Sequence, residues 1–281
     1  MSYGLGREAL LERYKTQKVG YLGHVNLVDV MGDDAAHVQA ARVSYGKGTK
    51  SLNDDRALIR YLIRHHHSSP IEMSTIKLHL KMPIYIARQW MRHRTASLNE
   101  VSLRYSEFAD EFEMTEEWRL QSKDNKQGSA GSLDDCLWAS DEEASILSSV
   151  KGFYHRLLDN GVAREMARKI LPVSTYTEFY WQMNSRNLLH FLGLRLDKHA
   201  QQEIREFAEA IYRIVKDWIP LTAEAFEDYQ LEARLLSRHE LEVIREFFRY
   251  EDLPSIANLV EAKEGMSKRE KKEFLALLGV A

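Results

Sequence analysis

The sequence of 281 residues contains one cysteine, five prolines and fourteen glycines. With Cys136 alone, an intrachain disulfide and a cysteine-based metal centre are both excluded, and a reducing, cytoplasmic setting is expected. So few prolines leave room for long helices. The glycines form neither a P-loop nor a G-x-G-x-x-G after a strand; Gly4 and Gly6 sit at the N-terminus with no strand before them. A doubly wound dinucleotide fold is therefore not expected. Long apolar runs are missing too. Arg7, Glu8, Glu12 and Arg13 interrupt the first fifteen residues, so neither a secretory signal nor a membrane span is read. Basic excess is also lacking: the net charge is −3, which argues against a general nucleic-acid coat and makes any cationic cluster local.

What is present is an ordinary globular composition, 44% hydrophobic and 29% charged. Residues 25–31 read as a short strand, and 34–45 and 54–66 as helices, the second capped by Asn53 or Asp54. Residues 73–82 place Met73, Ile76, Leu78, Leu80 and Met82 among polar neighbours, the period of a strand. Pro83 suits the first turn of a following helix. Residues 121–135 are polar, rich in Gly and Ser and without period; they read as a surface loop or disordered insertion, or as a lid. Helices are expected at 139–159 and 161–170, stopped between by Asn160-Gly161. A strand is expected at 174–184, then helices at 185–196 and 199–218. The helical, charged segment 221–281, broken near Pro254, reads as packing or as contacts between subunits. A main domain of 1–233 and a C-terminal extension of 234–281 are expected.

The most informative block is 88–105, RQWMRHRTASLNEVSLRY, with Arg88, Arg92, Arg94 and Arg104 set against Glu100 alone. On a helix, Arg88 and Arg92 share a face and repel, so they call for a counter-anion. Guanidinium groups grip phosphate through two parallel hydrogen bonds, which makes an external phosphate a natural partner. The alternative is a solvated basic face, or arginines paired with acids elsewhere in the fold. Trp90 and Met91 argue for partial burial, and Ser97, Asn99, Ser102 and Tyr105 add hydrogen-bonding groups. A second basic group comprises Arg168, Arg186, Arg195 and His199, with Asn184 beside them; helix-surface ion pairs involving Asp197 are its bland reading. The run His65-His66-His67 points its rings in different directions and is not expected to bind a metal.

These blocks carry a resemblance. RHRTASLNEVS at 92–102 is similar to the RHR-x7-S signature of flavin-dependent thymidylate synthases, preceded by ARQWM at 87–91 and followed by LRYSE at 103–107. SSPIE (68–72), REMARKILP (164–172) and NSRNLLHFLGLRLDKHAQ (184–201) resemble further blocks of that family, in order and at its spacing, over about residues 55–230. The resemblance implies an α+β fold, an antiparallel sheet flanked by helices, assembled as a homotetramer with shared sites. It implies reductive methylation of dUMP to dTMP, with 5,10-methylenetetrahydrofolate as carbon donor, FAD as cofactor, NADPH as reductant and no cysteine nucleophile. For dUMP it implicates Gln89, Trp90, Met91, Arg92, Glu100, Val101, Ser102, Leu103, Arg104, Arg168 and Arg195. For FAD it implicates Ser69, Arg92, His93, Arg94, Glu100, Asn184, Ser185, Arg186 and His190, with His67 packing near flavin and nucleotide. Arg195 is the expected polarising group and Ser102 an orienting hydroxyl. His190 stands where many relatives have asparagine, and Ser69 where threonine is common. The rival readings are a nucleic-acid-binding module, a flavoprotein whose nucleotide pocket has decayed, and a purely structural helical protein.

Overall fold

The computed structural model describes residues 3–43, 52–123, 126, 128–248 and 253–278. They form two compact units, 1–231 and 232–281. The centre of the first unit is a five-stranded antiparallel sheet. In chain order its strands are β1 (Gln17–Val19), β2 (Gly23–Met31), β3 (Thr75–Pro83), β4 (Ser97–Glu100) and, after a separate hairpin of β5 (Arg119–Gln121) and β6 (Ser129–Ser132), β7 (Tyr176–Asn184). Their spatial order is β1-β2-β3-β7-β4.

The alternation in β3 decides which face is buried. Ile76, Leu78, Leu80 and Met82 are all fully buried, and Thr177, Phe179, Trp181 and Met183 of β7 lie on the same side. Each large apolar side chain so buried contributes about 1.5–3 kcal/mol. Helices α4 (Ile84–Trp90), α7 (Ser185–Arg195) and α8 (Gln202–Trp218) cover that face. On α8 the buried residues Ile204, Phe207, Ala208, Ile211, Val215 and Trp218 recur at helical spacing and form one stripe. The other face is polar, carrying His24, Asn26, Lys77, His79, Lys81, Glu178, Tyr180 and Gln182.

Around this core lie α1 (Arg7–Arg13), α2 (Asp34–Arg42), α3 (Leu52–Arg64), a 3-10 turn Ser69–Met73, α5 (Leu137–Asp159), α6 (Arg164–Ala167) and α9 (Pro220–Phe226). The second unit contains α10 (Arg238–Phe248), α11 (Leu253–Ala262) and α12 (Lys268–Leu278). No helix among the described residues is long and apolar enough to cross a membrane.

Mixed helix and antiparallel sheet is the expected class, but several local expectations change. Part of 121–135 belongs to the β5–β6 hairpin, not to an irregular loop; residues 124, 125 and 127 lie outside the described set. Residues 161–170 are broken into α6 and a 3-10 turn, and Gly161 takes a left-handed φ of 78° as the stop signal requires. Pro83 closes β3 and caps α4 from outside. Pro254 lies in the first turn of α11, where its missing N–H costs no helical bond. Asn53 and Asp54 fall inside the first turn of α3, while residues 44–45 of the expected helix lie outside the described residues.

Candidate active site

The site begins where α4 ends. Trp90 is fully buried among Phe191, Trp181, Phe207 and Phe179, with ring centroids 4.5, 5.1, 6.2 and 6.4 Å away. This aromatic anchor fixes the helix end, and Arg92-His93-Arg94 leave the core directly after it. The helix stops at Trp90 with Met91 as its cap, so Arg92 follows the last turn and does not share a regular helical face with Arg88.

Residue His93 packs edge-on against Phe191 at 4.8 Å and accepts a hydrogen bond from Arg195 Nε at 3.0 Å. Burial, reinforced by the Arg195 charge, holds its pKa down at about 4. The imidazole is therefore neutral at pH 7, with Nε2 as acceptor. Arg195, the last residue of α7, is itself pushed below the ordinary guanidinium value by burial. The N-terminus of α7 is tied to the same loop. Asn184 Oδ1 accepts from Asn187 N at 2.9 Å, and Asn187 Nδ2 donates to Thr95 O at 3.4 Å.

A second patch follows β4. Val101 N donates to Glu178 O, and Ser102 turns the chain, its carbonyl accepting from Tyr105 N and Ser106 N. Ser102 Oγ accepts from Arg104 N at 3.3 Å. Leu103 packs on the satellite cluster of Phe108, Tyr154 and Ala167, which brings the loop beside α6. Glu100 Oε1 accepts from Thr177 Oγ1 at 2.7 Å, and Arg104 lies 3.8 Å from Glu165.

The charge balance is unusual. Among the described residues, Arg88, Arg92, Arg94, Arg168, Arg186 and Arg195 form no ion pair, whereas Arg7, Arg13, Arg56, Arg60 and Arg164 sit 2.6–2.8 Å from carboxylates. Asp197, read as a local partner for an arginine, pairs instead with His199 at 2.8 Å, and α7 ends before His199 is reached. Such a group of unneutralised cations can bind anions supplied from outside.

Not every expected residue is free to meet a ligand. Trp90 has no exposed surface, so its contribution is to anchor the loop. Ser185 is also fully buried; its hydroxyl donates to Ile71 O and bonds Ser74 Oγ and His37, and its backbone N–H donates to Ser74 O at 2.9 Å. Gln89 donates to Gln201, and Met91 is partly buried against the core. Ser69, His67, Arg186 and His190 are exposed, His67 lying edge-on to Tyr61 at 5.4 Å. Arg168 is exposed and makes no side-chain hydrogen bond among the described residues. Asn187 was not anticipated; its only sequence signal is its place three residues after the Asn184 cap. A cleft of about 680 Å³ between the β5–β6 hairpin and residues 198–205 is lined by Arg119, Lys198, His199 and Arg205, and by none of the expected ligand residues.

Residues 26–221 match the family model described as thymidylate synthase complementing protein. A flavin-dependent thymidylate synthase of Thermus thermophilus is 55% identical over 227 residues, covering 79% of this chain and 82% of that protein. A protein of the same description from Wolbachia pipientis wMel is 46% identical over 274 residues, covering 94% and 93%. Among solved structures, the UMP/dUMP methylase PolB of Streptomyces cacaoi bound with 5-Br dUMP is similar with a TM-score of 0.70 and 36% identity, over 76% of this chain and 99% of that one.

Proposed function

The chain belongs to the flavin-dependent thymidylate synthase family, and on that premise we propose that its arginines hold the anionic groups of dUMP and FAD while dUMP is reductively methylated to dTMP. It is a methyltransferase, with 5,10-methylenetetrahydrofolate as carbon donor and NADPH as reductant. The observation that carries the assignment of residues is Arg195: a partly buried guanidinium with no carboxylate, held by a neutral imidazole.

The donor set fits a flavin nucleotide. Arg92, Arg94 and Arg186 offer unneutralised charge, and Ser69, His190 and Asn184 offer hydrogen-bonding groups, while His93 orients Arg195. FAD, when bound, supplies the electron transfer. The residues supply position and field. Arg92, Arg104 and Arg168 hold the phosphate of dUMP. Arg195 stabilises negative charge growing on the uracil ring, and Ser102 orients the base. Gln89, Glu100, Val101 and Leu103 shape the pocket. No enzyme nucleophile is invoked: Cys136 caps α5 in a different element. A homotetramer with sites shared among copies is part of the proposal and rests on the family resemblance.

The test is tritium release from [5-³H]dUMP by purified protein with FAD, NADPH and methylenetetrahydrofolate, each omitted in turn. Release requiring every component is expected. Bound flavin and NADPH oxidation without release would indicate a decayed nucleotide pocket.

A further inference from the structure

The polar face of the sheet carries a group of side chains that the reaction does not use. His24 on β2, His79 on β3 and Glu178 on β7 occupy neighbouring strands, and one ligand atom from each lies within 4.8 Å of the others. We propose that His24, His79 and Glu178 bind a divalent transition cation of the zinc class, with its remaining coordination completed by water.

The strand register creates the juxtaposition. His24 pairs with Lys81 and Lys81 with Glu178, while His79 pairs with Asn26 and Tyr180, so the three ligands lie on diagonals of one face. His24 Nε2 is 3.4 Å from His79 Nδ1. That is about the edge of a tetrahedron around a cation with bonds of roughly 2.0–2.1 Å. His79 is stacked on Tyr180 at 5.0 Å, which fixes its ring; Glu178 Oε2 lies 3.1 Å from the other ring nitrogen, Nε2, so the carboxylate has to move round the ring edge to join an ion held between His24 Nε2 and His79 Nδ1. The Glu178 side chain is 42% exposed, so it has room for that movement, and its ligand atom starts within 4.8 Å of those of both histidines. Two imidazoles and one carboxylate select zinc, cobalt or nickel over magnesium and calcium, which prefer oxygen. Asn26 Oδ1, on the same face and opposite His79, is buried without a hydrogen-bond partner, an acceptor suited to a metal-bound water. Burial also keeps His24 below the ordinary histidine range, and so in its ligating neutral form.

One neighbouring group opposes the metal. Lys81 Nζ is 3.8 Å from Glu178 Oε1 and 2.6 Å from Glu111 Oε2. Its ammonium competes for Glu178, and metal binding shifts it fully to Glu111. This opposition separates a metal site from a mere hydrogen-bonded cluster.

The experiment is titration of metal-free, full-length protein with Co²⁺ and with Zn²⁺, following cobalt absorption and stoichiometry. One equivalent per chain is expected, insensitive to excess Mg²⁺. His24→Gln and His79→Gln should each weaken binding by about tenfold or more. Lys81→Met should tighten it, and this variant decides the matter if a histidine variant fails to fold. Absence of binding, binding unchanged in both histidine variants, transfer of the loss to His65→Gln or His66→Gln, or unaltered affinity in Lys81→Met would each overturn the proposal.

Discussion

At the residue scale, Arg195 and His93 divide one task. The imidazole can orient the guanidinium without neutralising it, because it is itself uncharged at pH 7. Arg195→Ala should lower kcat by about 10²–10³, the cost of removing one preorganised electrostatic group. Flavin content, read from the absorbance of the purified protein, should change little; normal tritium release from this variant would sink the role. Arg168→Ala should act mainly on KM for dUMP, since a phosphate contact is made in ground and transition states alike. His93 also sets a pH dependence. Its folded pKa of about 4 lies below the unfolded value near 6.5, so the unfolded chain binds more protons between them. Its contribution to stability is complete above about pH 6.5 and is lost as pH falls toward 4. His37, also held at about 4, acts with the same sign; Asp34, raised to about 6, acts with the opposite one. The comparison of wild type with His93→Gln isolates the His93 share. The melting temperature of the variant should fall less steeply over that range, and parallel curves would remove His93 as a source.

At the scale of elements, a buried knot joins segments that carry proposed ligand residues. His37 on α2 bonds Thr222 Oγ1 on α9 at 2.9 Å and Ser74 Oγ, before β3, at 2.7 Å; Ser74 in turn bonds Ser185 Oγ at the start of α7 at 2.8 Å. Asp34 accepts from Leu221 N at 2.8 Å and from Thr222 N at 3.1 Å, satisfying the start of α9. Ser185→Ala leaves Ile71 O and Ser74 with a lost partner in a site without water access, at a cost of about 1–3 kcal/mol. Thermal or urea unfolding checks this, and flavin should be lost more readily because Ser69 and Asn184–Arg186 flank the knot. A variant as stable as wild type would show that the knot holds nothing in place.

Much of this element structure could be read beforehand. β3 and β7 declare themselves because one face of each is buried against helices, which imposes a period of two. β4 could not be read: all four of its residues are exposed, so Ser97–Glu100 carries no alternation and is a strand only through its register with β7. The β5–β6 hairpin, with Gly131 and serines on an exposed surface, hides for the same reason. Of the site, the arginine blocks were visible as charge without nearby acids. The burial of Ser185 was not, because it depends on His37, Ser74 and Ile71, which meet only after folding. The His24, His79 and Glu178 group is invisible in the linear chain for that reason too.

At the scale of the whole molecule, the family match ends at residue 221, and the first compact unit ends ten residues later at Leu231. Every proposed dUMP and FAD residue lies in that unit. A chain ending at Leu231 is expected to fold, bind flavin and release tritium from dUMP. Loss of flavin or tritium release from a folded truncated chain would assign 232–281 to the working enzyme. Gel filtration of both forms tests whether the homotetramer needs the second unit.

The aromatic anchor at the end of α4 has an optical consequence. Trp90 lies within 5.1 Å of Trp181, two residues before the first arginine assigned to the flavin. Indole emission overlaps flavin absorption, so flavin seated on that loop would drain the excited state of this indole pair. The fold therefore carries its own reporter: ultraviolet excitation should show tryptophan emission falling as FAD is added and recovering as it is stripped, with no label attached.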